Sequence, residues 1–319
     1  MRRLLALALL VAAPHALHAA DYRSHPQYPA FAKKLVEKHG YSRDEIDALF
    51  EGVTHQEKII ELITRPAESR AWHEYRPIFI TDARIEAGRA FMREHAETLE
   101  RAEHEFGVDR EIIAAIIGVE TFYGRISGSW RVLEALATLG FDYPPRASFF
   151  LSELEHFLLL VREEAIDPAA ITGSYAGAMG GGQFIPSSYR AYAVDFDGDG
   201  KRDLWNSWPD VIGSVANYFA RHNWRFRETI AVPAAVPQSV TPPLAEQGMK
   251  TMSAAALRAA GVVFTEGVSD DQDVRFVVLQ QAEGADYWIG LHNFGVINRY
   301  NRSPLYAMAV MELAGTIRE

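Results

Sequence analysis

Glu120 is a carboxylate in a place where charge is costly. It lies within Asp109 to Arg125, DREIIAAIIGVETFYGR, where Ile112, Ile113, Ile116, Ile117 and Val119 recur at helical spacing and so mark a buried face. Glu120 follows Ile113 by seven residues and Ile116 by four, so it projects from that apolar stripe. Asp109 is placed to cap the start, and Gly124 to stop the helix in the left-handed region. Burial and the negative end of the helix dipole both disfavour the ionised form. The pKa is therefore expected to rise towards that of a general acid working near neutral pH. The competing reading is structural, a glutamate at the edge of a packed helix, ion-paired to an arginine such as Arg125.

A second carboxylate pattern runs Asp195-Phe-Asp197-Gly-Asp199-Gly200-Lys201-Arg-Asp203. Acids at loop positions one, three, five and nine, glycine at six and a backbone carbonyl at seven follow the EF-hand calcium pattern. Position twelve is Asn206 rather than a bidentate glutamate, and Asp210, four residues on, is the expected closing acid. Lacking that glutamate, such a loop reads as a weaker structural site, not a switch; an acidic turn without metal is the alternative. The stretch GSYAGAMGGGQF from Gly173 is dense in glycine, which implies tight turns or a backbone brought close to something. It lacks the Lys-Ser/Thr of a phosphate loop, so it is expected to line a groove, with Ser174 and Gln183 as hydrogen-bonding groups. Asn293 to Ser303, NFGVINRYNRS, suits recognition of hydroxyls and amides and equally suits an ordinary loop. No HExxH, paired histidine ligands or GxSxG elbow occurs.

The elements that must position these groups are mostly helical. Amphipathic spacing predicts helices around Phe31 to Val36, Ile46 to Phe50 and Ile59 to Ile63, the last ended by Pro66. Trp72, Tyr75 and Phe79 lead into a further helix through Phe91 and Met92. Leu133 to Leu139 follows the Glu120 helix, and helices are also expected over Phe149 to Val161, Ile212 to His222, Ala254 to Ala260 and Leu305 to Ile317. Val274 to Leu279 alternates and is β-branched, hence a strand. Pro233, Pro237, Pro242 and Pro243 mark 231–243 as a polar linker. The 319 residues carry net charge −10 without a Lys/Arg block, which argues against nucleic acid as a partner. The absence of cysteine excludes disulfides, thiolate metal sites and a cysteine nucleophile. Arg2 and Arg3 precede the apolar run Leu4 to Ala13, with Ala16, Ala19 and Ala20 after it. Residues 1–20 therefore read as a cleaved secretory signal, with an uncleaved anchor as the alternative; cleavage leaves no transmembrane anchor and an exported, soluble protein, periplasmic if the leader is bacterial.

Taken together, GVETFYGR around Glu120, GSYAGAMGGGQFIPSSY from Gly173, DFDGDGKRDLW from Asp195, GSVANYF from Gly213 and RYNRS from Arg299 resemble the lytic murein transglycosylase B family. The resemblance runs from about Trp72 to the C-terminus. It implies an α+β, predominantly helical fold: a lysozyme-like core with an EF-hand-like loop, a helical domain and a small β subdomain. The corresponding division is 21–80 helical domain, 81–230 catalytic core with the calcium loop, 231–290 small insertion and 291–319 return segment. It implies that Glu120 cleaves the bond between N-acetylmuramic acid and N-acetylglucosamine in peptidoglycan, acting as acid and then base. The sugar's own 6-hydroxyl closes onto C1, leaving a 1,6-anhydromuramoyl end, with the 2-acetamido oxygen in place of a second carboxylate.

By the same resemblance Tyr75, Ser174, Gln183, Tyr218, Tyr300, Asn301 and Tyr306 would contact saccharide, and Arg146 the peptide stem or another acidic group. Asp195, Asp197, Asp199, the Lys201 carbonyl and Asp210 would hold a structural calcium ion. Peptidoglycan glycan strands are the implied partner, and cell-wall synthesis or remodelling complexes stay open. The chain departs from the family pattern at Gly295, where an aromatic is usual, and at Gly181 and Gly182, which suggest a looser loop. Two alternatives stand beside the transglycosylase reading: a hydrolytic muramidase of the same fold, and a non-catalytic glycan-binding protein.

Overall fold

In the computed structural model the described residues are 21–65, 70–240 and 249–318. The expected leader over residues 1–20, and Pro66, Pro242 and Pro243, lie outside them. The chain forms two compact units that divide after His55. In the first, a 3-10 turn over Tyr22–Ser24 precedes α1 (Tyr28–His39) and α2 (Arg43–Leu49). Gly40, at φ 65°, stops α1 in the left-handed region, a conformation glycine adopts without steric cost. Ser42 and Glu45 then start α2 with a reciprocal capping box. Tyr28 and Phe31 each meet the Phe50 ring edge-on, giving this unit its own small core.

The second unit continues with α3 (Glu57–Thr64), α4 (Trp72–Phe79), α5 (Asp82–Glu94), α6 (Ala96–Phe106) and α7 (Arg110–Thr121). Then come β1 (Trp130–Arg131), α8 (Val132–Asp142), α9 (Ala147–Glu163), β2 (Thr172–Gly173), α10 (Pro186–Tyr192) and α11 (Trp208–Arg221). A mixed segment follows: β3 (Ala231–Ala235), β4 (Met252–Ser253), α12 (Ala254–Ala259), β5 (Val263–Phe264), β6 (Asp273–Gln280) and β7 (Ala285–Gly290). The chain closes with α13 (His292–Tyr300) and α14 (Pro304–Ile317). Among the described residues the fold is thus predominantly helical, as the residue patterns predict, with a two-stranded antiparallel pair, β1–β2, and one five-stranded antiparallel sheet.

α7 is the axis of this unit, with α5, α6, α11 and α14 packed around it. Every residue from Ile112 to Thr121 is buried except Glu120. Its start differs from expectation. Asp109 occupies the N-cap position but makes no cap hydrogen bond; its carboxylate accepts from Trp224 Nε1 at 2.8 Å and from the Arg227 N–H. The Arg110 N–H is capped instead by Glu103 at 3.0 Å.

Two further expectations are corrected. Residues 231–235, read as linker, are a strand hydrogen-bonded to β7, with Pro233 opposite Trp288. Ile230 accepts from the Leu291 N–H on the β7 side, so strand alternation turns the Pro233 nitrogen the other way. There β5 pairs only Ala234 and Ala235, and proline is tolerated because no ladder donor is needed. Asn293 to Tyr300 is not a loop but most of α13: Phe294, Val296 and Ile297 are buried, and that apolar stripe outweighs the polar residues between them. In the sheet, ordered β4-β6-β7-β3-β5, Val274, Phe276 and Val278 pack against Ala254 and Leu257 of α12. Arg275, Val277 and Leu279 face the other way.

Gly118 tests how tightly α7 is packed. Alanine at a helix interior normally gains about 1 kcal/mol over glycine. Here a Cβ would lie 2.5 Å from the Tyr123 hydroxyl and 2.6 Å from its ring, and overpacking typically costs about 1–3 kcal/mol. Overpacking is the larger effect, so Gly118→Ala should lower the urea midpoint; a midpoint that rose would show that the Tyr123 ring is free to move.

Candidate active site and acidic loop

Glu120 sits in the last turn of α7, partly exposed amid buried neighbours. Its Oε1 accepts a 2.5 Å hydrogen bond from the hydroxyl of Tyr306, a buried residue in the first turn of α14. Burial pushes the Glu120 carboxyl up from its ordinary 4.5 to about 7, and the Tyr306 hydrogen bond opposes the shift. Among the described residues no arginine clamps it: Arg125 is exposed and lies over the Phe122 ring, 4.7 Å from its centroid. The ion-paired alternative is therefore not the arrangement found.

Helix α7 stops sooner than Gly124. Phe122 and Tyr123 take φ values of 51° and 56°, followed by Gly124 at 82°. Left-handed backbone on bulky residues is costly and persists only where surroundings enforce it. The guanidinium groups of Arg84 (4.5 Å) and Arg125 both lie over the Phe122 ring. The Tyr123 ring lies against Gly88 and Gly118, and beside Phe91. These contacts hold the turn immediately beyond Glu120. The signal available in the sequence was Gly88 and Gly118, two glycines inside helices with no cap to form.

The glycine-rich segment is docked on that same helix end. Thr121 Oγ1 donates to Gly181 O at 3.1 Å, and the Tyr300 hydroxyl to Gly182 O at 2.6 Å. Gly181 and Gly182 are buried, so the expected looseness is absent. Gly180 takes φ 68°, and a Cβ there would lie 2.5 Å from Leu204 O; glycine alone fits both demands. Ser174 Oγ accepts the N–H groups of Ala176 and Ala178, and Gln183 Nε2 donates to Ser127 O and Gly180 O. Both side chains thus shape this segment.

Tyr300 meets Tyr218 edge-on at 4.7 Å and stacks at 5.7 Å on Phe219. Burial pushes the Tyr300 and Tyr306 hydroxyls well above the usual tyrosine range, and the Glu120 charge adds to it. Tyr75 on α4 reaches Tyr306 electrostatically and stacks on Trp72. Glu120, Tyr306, Tyr300, Tyr218 and Tyr75 therefore form one cluster. Arg146 is not brought into it by any hydrogen bond or ring contact among the described residues: it is exposed over Phe149 and Phe150. Asn301 is exposed just past α13. Gly295 is no missing wall, because the space an aromatic would need holds the Arg275 guanidinium, 2.4 Å from an ideal Cβ. A 510 Å³ cavity around Asp109, Trp224 and Arg318 also reaches Glu111, nine residues before Glu120 on α7, about 14 Å along the helix; it holds none of the expected site residues.

In the acidic loop, one carboxylate oxygen from each of Asp195, Asp197 and Asp210 lies within 4.8 Å of the others. That clustering fits a hard divalent cation bound through oxygen. Asp210 is buried in the first turn of α11; its oxygens accept the N–H groups of Phe196 (2.7 Å) and Asp203 (2.7 Å). Burial raises its pKa despite those bonds. Asp199 spends Oδ1 on the Lys201 N–H, and Asp203 accepts from Trp205 and Asn206; neither joins the three-carboxylate cluster. The sequence pattern thus assembles in part, with Asp210 where an EF-hand places its closing acid, at the start of the outgoing helix.

A buried helix presenting one glutamate, a glycine-rich segment on its end and an acidic loop beside it define a lysozyme-like lytic transglycosylase, and the chain belongs to that family. The Transglycosylase SLT domain matches residues 23–315. Among curated relatives, the membrane-bound lytic murein transglycosylase B of Escherichia coli (strain K12) is 41% identical over 308 residues, 93% of this chain and 84% of that protein. The catenated lytic transglycosylase SltB1 of Pseudomonas aeruginosa is 51% identical with TM-score 0.87, covering 93% of this chain and 98% of that one. Escherichia coli Slt35, in complex with calcium, is 42% identical with TM-score 0.85, covering 94% and 95%. The protein is accordingly a peptidoglycan lytic transglycosylase.

A carboxyl whose folded pKa exceeds its unfolded value stabilises the fold only while protonated, so stability falls as pH rises from about 4.5 through about 7. Glu120→Gln removes that loss. Its stability relative to wild type should grow by about 1–3 kcal/mol between pH 5 and pH 8, read by urea unfolding at each pH. A difference independent of pH would mean that Glu120 is not desolvated.

Proposed function

We propose that Glu120 is the catalytic acid and base of a non-hydrolytic cleavage of the glycan. Its neutral carboxyl donates a proton to the oxygen bridging N-acetylmuramic acid to N-acetylglucosamine as the C1–O bond breaks, and the 2-acetamido oxygen stabilises the cation at C1. The resulting carboxylate then takes the proton of the 6-hydroxyl as that oxygen bonds C1, giving the 1,6-anhydro end. The observation that carries this is the isolation of Glu120. Burial and Tyr306 are the influences on its ionisation, and among the described residues no second carboxylate bears on it, which suits a reaction needing one acid. Tyr306 would steady the carboxylate between the two proton transfers. Tyr75, Tyr218 and Tyr300 would contact the sugars alongside it, with Ser174 and Gln183 shaping the glycine-rich wall. Arg146 and Asn301 would act further along the strand.

We also infer a structural calcium ion in the acidic loop, held by Asp195, Asp197 and Asp210, with Asp199 and the Lys201 carbonyl completing the shell after a local adjustment. The calcium complex of the 42% identical relative supports it. Export to the periplasm, where peptidoglycan lies, follows from the leader-like N-terminus.

Products from purified sacculi should carry anhydromuramoyl ends, lighter by one water than hydrolysed ends by mass spectrometry; hydrolysed ends would instead indicate a muramidase. Glu120→Gln should slow release on the order of 10²-fold or more while sacculus binding persists. Chelation should lower the melting temperature, and added calcium should restore it; an unchanged melting temperature would make the loop a metal-free turn.

A further inference from the structure

The residue that fills the space over Gly295 forms no ion pair among the described residues. Arg275, on the face of β6 turned away from the α12 cluster, lays its guanidinium flat against α13, with Nη1, Cζ and Nη2 all within 2.7 Å of an ideal Gly295 Cβ. Any side chain there would displace it. Arg299 is four residues on from Gly295 along the same helix, hence on the same face. It is exposed, and its charge acts on Arg275. Neither arginine forms an ion pair among the described residues; Asp273, two residues along β6, attracts Arg275 from beyond ion-pair distance. Burial and then Arg299 hold Arg275 below the usual arginine range. A half-buried guanidinium without an anion is unfavourable, and a second cation beside it makes it more so. A bound anion would relieve both.

The place is continuous with the proposed sugar site. The charges of Arg299 and Arg302 reach the Tyr218 hydroxyl, and Tyr218 packs on Tyr300 beside Glu120's partner Tyr306. In a chain of net charge −10, three arginines with no ion pair among the described residues stand out against the bulk electrostatics.

We propose that Arg275 and Arg299, with Arg302 at the outer rim, form a carboxylate-binding site for the peptide carried by the glycan strand, making them specificity-determining residues. A planar guanidinium suits bidentate capture of a carboxylate, and a carboxylate on the peptide is the anion that peptidoglycan brings to a groove otherwise lined with tyrosine. The proposal rests on the glycan-cleaving reading of the Glu120 cluster.

The test compares wild type, Arg275→Gln and Arg299→Ala on two substrates: strands bearing their peptides, and strands stripped of them by an amidase. Losing a charge-assisted hydrogen bond should raise KM on peptide-bearing strands on the order of tenfold or more, leaving kcat and the KM for bare strands unchanged. Amidating the peptide carboxylates should reproduce the loss in wild type. Arg299 is exposed, so its variant separates a binding effect from misfolding of the half-buried Arg275 variant, which a melting curve also checks. Equal loss on both substrates, or no loss on either, overturns the site. Wild type that releases no anhydro product from either substrate overturns the underlying functional reading instead.

Discussion

The constraint on which the site depends is that a carboxyl group is kept short of water on an otherwise buried helix. Desolvation raises the Glu120 pKa to about 7, and the hydrogen bond from the Tyr306 hydroxyl pulls it back down. Those two influences pull in opposite directions, and desolvation is the larger. An arginine in place of that tyrosine would reverse the balance, since a full positive charge at hydrogen-bond distance favours the ionised form far more than a neutral hydroxyl does. The surrounding arginines are engaged elsewhere: Arg84 and Arg125 on the Phe122 ring, Arg76 on Glu312.

Position is supplied by packing more than by local preference. α7 runs through the centre of its unit, so the backbone carrying Glu120 is held along its length. The chain then turns through two left-handed aromatic residues whose rings pack against Arg84, Arg125, Gly88, Gly118 and Phe91. The glycine-rich segment docks on the same end through Thr121 and Tyr300. Local backbone strain sits where the chemistry is proposed to sit, offset by ring contacts drawn from α5 and from the turn itself.

Much of this was legible in the residue order, for identifiable reasons. α7, α9, α11 and α14 announce themselves because a stripe of Ile, Leu, Val and Phe at helical period has one stable solution. Glu120 stands out because it interrupts such a stripe. α13 was obscured because Asn293, Asn298 and Arg299 dilute its stripe, and β3 because Pro233 signals a break unless its nitrogen is known to point off the ladder. The Glu120–Tyr306 bond spans 186 residues, so no local pattern could encode it. The Arg275–Gly295 contact was invisible for the same reason: glycine is silent about what leans on it. Asp199 belongs to the expected metal set yet lies outside the three-carboxylate cluster, with one oxygen on the Lys201 N–H, and spacing alone cannot tell those two uses apart.

Pro233 carries a consequence for one edge of the sheet. β4 and β5, the two outer strands, are each two residues long, and where β5 ends, the next strand offers a proline in place of a donor. On that side a foreign strand seeking to zip onto the sheet meets a two-residue edge and then a proline, with few free N–H groups to pair. The β5 side is thereby poorly suited to edge-to-edge self-association, a safeguard built from brevity and one missing hydrogen.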